Sequence, residues 1–465
     1  MDGLEAIEIN LSVCKNIIDF RIDASTYKKD YVRTDKILKD MNPSTIEKEM
    51  KSIQNFGAYS LCNDIVFVDD GIPFLMTQNV RHNYIDWNNV RYVNEASHKM
   101  LHKSHCKKNQ VLVTMAGEYL GRVAVYDKDF ICSSNQAIAK VTLKEGVSPY
   151  YVATFLNSIY GQNQINRFKT ITGQPNINMA LIKSLMIPIL SDRIGSAITK
   201  IVVSANEKFD ESRKLIEKAE RLLSENIGAN LYVEPQEKFS IRKFSASVSL
   251  SGRFDAEYYQ NKYDDYNRIL KGYSNGYGLI GNICTIKDKN YIPNDKTEYS
   301  YIELANVGQE GNISDCDKLL GIELPTRARR IVSTDDVIIS SVEGSLSKCA
   351  LVTEEYNGFI CTNGFYVAKC DVINPETLLM LFKSKPIQAL MKKGCSGTIL
   401  SAIGRDELDK IPLPIIDDNT QQKIKELVNE SHLVRKHGEE LLKKANTIME
   451  VAIEQGENKA LSLYK

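Results

Sequence analysis

Arg253-Phe254-Asp255-Ala256-Glu257-Tyr258-Tyr259 repeats, with small changes, Arg21-Ile22-Asp23-Ala24-Ser25-Thr26-Tyr27. Two further pairs keep the order. Phe130-Ile131-Cys132-Ser133 returns as Phe359-Ile360-Cys361-Thr362, and Ile187-Pro188-Ile189-Leu190 returns as Ile411-Pro412-Leu413-Pro414. The offset drifts only from 232 to 229 to 224 residues. This pattern predicts two tandem copies of one domain, and hence two copies of one binding task.

Between these stations each copy carries the same signals. Strand-like runs come first: Pro73 to Met76 and Asn79-Val80, then Tyr301 to Leu304 and Asn306-Val307. A short apolar strand then leads into a glycine, Val111 to Gly117 and Val337 to Gly344. A β-rich run follows each, at Arg122 to Val125 and Lys348 to Val352. β-branched residues bounded by Gly and polar turns are strand signals. One helix is expected from Pro149 to about Gln164 and another from Pro375 to about Met391, each with proline near its first turn. A Gly-containing loop and the Ile-Pro strand close each copy.

A long amphipathic helix follows each copy. Its seam in the first is carried by Ile198, Val202, Phe209, Ile216 and Leu223, and in the second by Ile424, Val428, Leu441, Leu442 and Ile448. Three-four spacing held over roughly four heptads needs an apolar partner. The expected partner is the other helix, as an antiparallel coiled coil placing the copies about a pseudo-twofold axis; the plainer arrangement lays each helix on its own domain. The expected fold is α+β, mostly strands with a few helices. Its boundaries are domain one at 1–190, long helix one at 191–232, domain two at 233–416 and long helix two at 417–465.

The 465 residues exceed one ordinary core. A hydrophobic content of 43% and a charged content of 25% are those of a soluble globular protein. No apolar run approaches the ~18 residues of a membrane span. The acidic start, Met1 to Glu5, lacks the basic and apolar regions of a signal peptide. Ten scattered cysteines without a Cys-x-x-Cys pair read as reduced thiols, so a cytoplasmic location is expected. Lys+Arg and Asp+Glu balance at 59 each, so an anionic partner must be met by local patches.

Motifs of several enzyme classes are missing: no phosphate-binding Gly-x-x-x-x-Gly-Lys loop, no Asn/Asp-Pro-Pro-aromatic motif of amino-methyltransferases, no Pro-Asp opening of a nuclease site. His98, His102, His105 and Cys106 have zinc-like spacing. Lys99, Lys103, Lys107 and Lys108 surround them, however, and the second copy has no counterpart. A basic polar surface is the better reading, with neither metal nor cofactor. Arg21/Asp23 and Arg253/Asp255 read as internal to the fold, and Cys132 and Cys361 as buried strand residues.

The ordered double occurrence of Gly-containing loop, Ile-Pro strand and long helix resembles the specificity subunit of type I restriction-modification systems. The best local matches are Ile411-Pro412-Leu413-Pro414 leading into Gln421-Gln422-Lys423-Ile424, and Thr172-Gly173-Gln174-Pro175-Asn176-Ile177 before the first Ile-Pro. The units Val111 to Gly117 and Val337 to Gly344 fit as well, and the resemblance spans essentially the whole chain. It implies two target-recognition domains, each reading half of a split double-stranded DNA sequence. It implies helices that pair as a spacer and bind two DNA methyltransferase subunits, with restriction and translocation on a further subunit. Such a chain is non-catalytic. The first copy departs by running from Ile187-Pro188 into Ser191-Asp192-Arg193, without a second proline or a Gln-Gln.

Phosphate contacts favour Lys and Arg, and base edges favour Arg, Lys, Asn and Gln. Candidates in the first copy are the turn Arg81, His82 and Asn83, the cluster Lys103, Lys107 and Lys108, then Tyr119 and Arg122, and the loop residues Lys169, Gln174 and Asn176. In the second they are Arg327, Arg329 and Arg330, with Ser345 and Lys348. The rival reading is a coiled-coil interaction scaffold without DNA readout; an enzyme with an unrecognised site in one repeat is a third.

Overall fold

The computed structural model describes residues 6–15, 20–57, 59–170, 173, 175–234, 239–243, 253, 255–287, 289–314, 316–397 and 401–464. They belong to two compact units, Met1–Phe209 with Lys436–Lys465, and Asp210–Arg435.

In the first unit the strands of the two larger sheets are β1 (Met50–Gln54), β2 (Phe67–Val68), β3 (Ile72–Leu75), β4 (Arg91–Val93), β5 (His105–Cys106), β6 (Gln110–Thr114), β7 (Val123–Tyr126), β8 (Cys132–Ser134) and β9 (Ile138–Leu143). One sheet is antiparallel in the order β1-β9-β6-β7, and a second runs β2-β4-β3-β8-β5. The one parallel pairing among them is β3 with β8, Phe74 opposite Ser133. Side-chain alternation assigns the faces of the first sheet. Val111, Val113, Val123, Val125 and Val141 enter a core shared with the helices. Leu112, Ala124, Tyr126 and Ile138 enter one shared with Leu75 and Cys132 of the second sheet. A strand covered on both faces reads as the continuous apolar run seen at Val111 to Val113.

The second unit repeats this framework. The strands of its two larger sheets are β10 (Cys284–Lys287), β11 (Glu298–Ile302), β12 (Asp317–Leu320), β13 (Ala328–Ile331), β14 (Val337–Ser340), β15 (Cys349–Leu351), β16 (Ile360–Thr362) and β17 (Phe365–Cys370). The sheets run β10-β17-β14-β15 and β12-β11-β16-β13, with β11 and β16 parallel. Val337 and Ile339 face the helices while Ile338 faces the second sheet.

The expected single helices are each two. They are α1 (Pro149–Asn157) with α2 (Ile159–Phe168), and Pro375–Lys383 with Lys385–Lys393. Ser158 and Ser384 adopt extended backbone at the joints. Gln162 Nε2 then donates to Leu156 O (2.8 Å) and Gln388 Nε2 to Phe382 O (2.6 Å), satisfying carbonyls left open by the break.

The opening motif is a clasp. Arg21 pairs with Asp23 at 2.8 Å and donates to Lys169 O (3.1 Å), while Tyr27 OH donates to Arg21 O. Arg253 pairs with Asp255 at 2.7 Å and donates to Cys395 O (2.9 Å), while Tyr259 OH donates to Arg253 O. Each copy thus ties its first segment to the C-terminal end of its second short helix.

The long helices are α3 (Asp192–Asn226) and α4 (Asp418–Gln455). In the first unit Ile198, Val202 and Phe209 share a core with Leu442 and Ile448, and Leu441 packs at its margin. In the second, Ile216 and Leu223 share one with Ile424 and Val428. Within the second unit Asn226 reaches Thr420 while Ser212 reaches Ser431, so the segments run antiparallel. They also pack on the domains, since the first core includes Phe155 and Leu156 and the second Leu378 and Phe382. Ser431 joins a polar network with Ser212, Glu310 and Arg435.

Strand register corrects the matching of the Ile-Pro segments. Ile46 N–H donates to Leu185 O, and Ile280 N–H to Ile411 O. Thr45 lies opposite Met186, and Leu279 opposite Pro412. Pro188 therefore corresponds to Pro414, and the proline lacking in the first copy is the earlier one, replaced by Met186.

Candidate nucleic-acid interface

The two basic clusters lie on matching strands. β5 and β13 are edge strands that each pair antiparallel with an interior strand of the second sheet, β8 or β16. Lys103, Lys107 and Lys108 are exposed around β5, with Lys108 paired to Asp129 at 2.8 Å. Arg327 is 61% exposed just before β13 and lies 3.5 Å from Glu303. Arg329 Nε donates to Thr326 O (2.5 Å), and Arg330, half-buried, donates to Phe365 O with its guanidinium over Tyr366. Arg327 is thus presented to solvent, while Arg330 is tied to the fold.

The remaining candidates fall into two further groups. Arg81, His82 and Asn83 pack beside β7. Asn83 is buried with φ 66°, and its N–H donates to Val123 O. Asn157 Nδ2 donates to Asn83 Oδ1 (2.9 Å) and to Val123 O (2.8 Å), and His82 Nδ1 lies 2.9 Å from Asn157 Oδ1. Arg81 pairs with Asp86 at 3.6 Å. Asn83 is therefore a structural amide, and only the exposed His82 of this turn projects outward. Arg122 stacks over Tyr119 at 4.6 Å, a cation–π contact. Its counterparts are Ser345, hydrogen-bonded to Ser340, and Lys348, whose amine donates to Val307 O (2.5 Å).

The third group surrounds Gly117. Ala116 bridges Asn176, and Gly117 N–H donates to Pro175 O. Asn176 is exposed, its N–H bonded to Thr170 Oγ1 (3.1 Å), and Lys169 Nζ donates to Asn166 Oδ1 (3.0 Å). Gln174 lies outside the described residues.

Three further basic residues stand out. Arg91 on β4 is exposed with its guanidinium 3.5 Å from the Phe67 ring, and Lys318 is exposed on β12, the matching strand. The signal was present, since each precedes a basic cluster in a strand-like stretch. Lys140 is the converse. It is fully buried on β9, bonded to Ser134 Oγ (2.9 Å), and burial lowers its amine to about 8.

The imidazoles of His98 and His105 bond to one another's surroundings. His98 and His105 stack at 3.8 Å, with His98 Nδ1 on Ser133 Oγ and His105 Nε2 on His98 O. Gly272-Tyr273-Ser274-Asn275-Gly276 spells the Gly-x-Ser-x-Gly pattern of hydrolase nucleophile elbows. An elbow needs a strand leading into a helix. Here a helix, Asn261–Lys271, leads into a strand, Tyr277–Leu279, and Tyr273 OH donates to Asn226 Oδ1. The pattern is a turn.

No protein-family model and no curated protein matches the chain. Solved structures do. One is titled the type I restriction-modification system S subunit from M. genitalium, at 15% identity and TM-score 0.38, covering 88% of this chain and 94% of that one. Another is the HsdS subunit from Thermoanaerobacter tengcongensis, at 13% identity and TM-score 0.29, covering 89% and 96%. A third, from a study of assembly and conformational transition of the type I R-M system, has 13% identity and TM-score 0.27, covering 91% and 97%.

Proposed function

We propose that this chain is the non-catalytic specificity subunit of a type I restriction-modification system. It binds a bipartite double-stranded DNA target and directs DNA methyltransferase subunits, and a restriction subunit where one is present, to that target. The observation that carries the reading is duplication at every level. Two units share the strand order of the first sheet, the parallel pairing in the second, the clasp and the helix break, and each holds part of the same two long helices. On this reading 1–190 and 233–416 are the target-recognition domains, and 191–232 and 417–465 are spacer helices.

Physics supports such a division of labour. One module reads only a few base pairs, and linking two multiplies affinity only when the spacing is right. A helix rises about 1.5 Å per residue against about 3.4 Å per base pair. One added turn in each long helix should then lengthen the preferred gap by one to two base pairs.

The test combines binding and methylation mapping. The full chain with its methyltransferase should bind one split sequence with an affinity that falls steeply with salt. Lys103→Ala with Lys107→Ala should weaken binding across sequences and flatten the salt slope by about 1–2. If deleting 248–413 left the methylated sequence unchanged, the proposal would fail. The scaffold alternative predicts no salt-dependent DNA affinity at all.

A further inference from the structure

Comparing the two copies at the start of their long helices shows a part missing from one. Leu185 and Ile411, the helix caps Ser148 and Asn374, and the helix starts Asp192 and Asp418 are each 226 residues apart. At the same spacing, Gly195 stands where the second copy has Gln421.

In the second copy the Gln421 side chain fills a cleft and satisfies its walls. Its Oε1 accepts from Asn374 N–H (2.7 Å), and its Nε2 donates to Ile416 O (2.8 Å) and Val372 O (3.3 Å). The matching groups of the first copy are Ser148 N–H, Leu190 O and Gly146 O. No hydrogen bond to any of the three is found among the described residues. All three residues line a groove of about 680 Å³, and a Cβ placed on Gly195 would meet nothing within 4 Å.

We propose that the groove beside Gly195 is a binding site for a primary carboxamide, supplied as a glutamine side chain by a partner protein. One donor and two acceptors, at the positions that correspond to the groups bonded to Gln421 in the second copy, match a carboxamide's C=O and its two N–H bonds. A carboxylate carries no proton for either acceptor at neutral pH. Unpaired backbone groups are costly once desolvated, so filling the groove without matching them gains little. The lining also explains why the amide arrives on a protein. Val147, Pro188 and Ile189 form an apolar rim, with Ile189 69% exposed, which suits the neighbours of a side chain on a peptide. The site stands independently of the DNA reading.

The test uses the full chain and three probes: an acetylated Leu-Gln-Leu amide, its Leu-Glu-Leu counterpart, and free glutamine. Saturation-transfer NMR should show the glutamine peptide bound and the glutamate peptide not. Free glutamine should bind at least tenfold more weakly than the peptide. Gly195→Gln should abolish peptide binding and raise the melting temperature, since its own side chain would take the place. Gly195→Ala, entering open space, should keep the peptide. No binding of the glutamine peptide, equal binding of both peptides, or retention by a folded Gly195→Gln chain would overturn the site. Equal binding of free glutamine would overturn the partner-protein assignment. If Gly195→Gln fails to fold, the reciprocal Gln421→Gly decides: it should create a second glutamine-peptide site, and its failure to do so refutes the proposal.

Discussion

Lys140 shows how far a single side chain's surroundings can override its type. It is fully buried, and burial lowers its amine to about 8 from an ordinary 10.5. The unfolded chain therefore holds this proton more tightly than the folded one between pH 8 and 10.5. The penalty is present in full below pH 8 and is relieved as pH rises through that window, by about 3 kcal/mol. Unfolding of the first unit followed against pH should show this gain, and Lys140→Met should remove it. Asn83 is a second case. Its amide serves Asn157 in a left-handed turn. Asn83→Ala should cost about 1–3 kcal/mol, because it strands a buried partner. Chemical denaturation measures it, while the salt slope of DNA binding should stay unchanged. Neither role was legible in the sequence, where Lys140 sits in an apolar run and Asn83 in a polar turn.

At the scale of elements, the long helices were legible from their spacing, but the chemistry between them was not. Arg435 and Glu310 form a buried ion pair at 2.8 Å, with Ser212 and Ser431 bonded into it. Removing one partner of such a pair leaves a charge without compensation. Arg435→Met should therefore destabilise the second unit by about 3–5 kcal/mol, read by denaturant unfolding. Further along, a Cβ on Gly438 would meet Phe209, Ala205 O and Lys208 at 3.1–3.3 Å. Gly438→Leu should overpack the first unit and lower its stability by about 1–3 kcal/mol. The short helices were only half legible. The break at Ser158 or Ser384 is satisfied by Gln162 and Gln388, whose amides also donate across the fold to Gly121 O and Leu346 O. The edge strands β1 and β10 carried too little apolar periodicity to be read at all.

For the whole molecule, the first unit is built from segments far apart in sequence. Leu442, Ala445, Ile448 and Met449 belong to the same core as Val111, Phe155 and Val202. Deleting Lys436–Lys465 should unfold the first unit and leave the second protected, as read by hydrogen exchange on the truncated chain. If the first unit kept its protection, its core would not need the last helix. Duplication, tandem order and helix pairing were within reach of the sequence, because repeated motifs and three-four spacing are local and survive divergence. Three things were decided only by tertiary structure: which basic residues reach solvent, which proline matches which, and where Gly195 leaves a groove. Each depends on strand register and on contacts between residues distant in the chain, and local sequence does not encode those one position at a time.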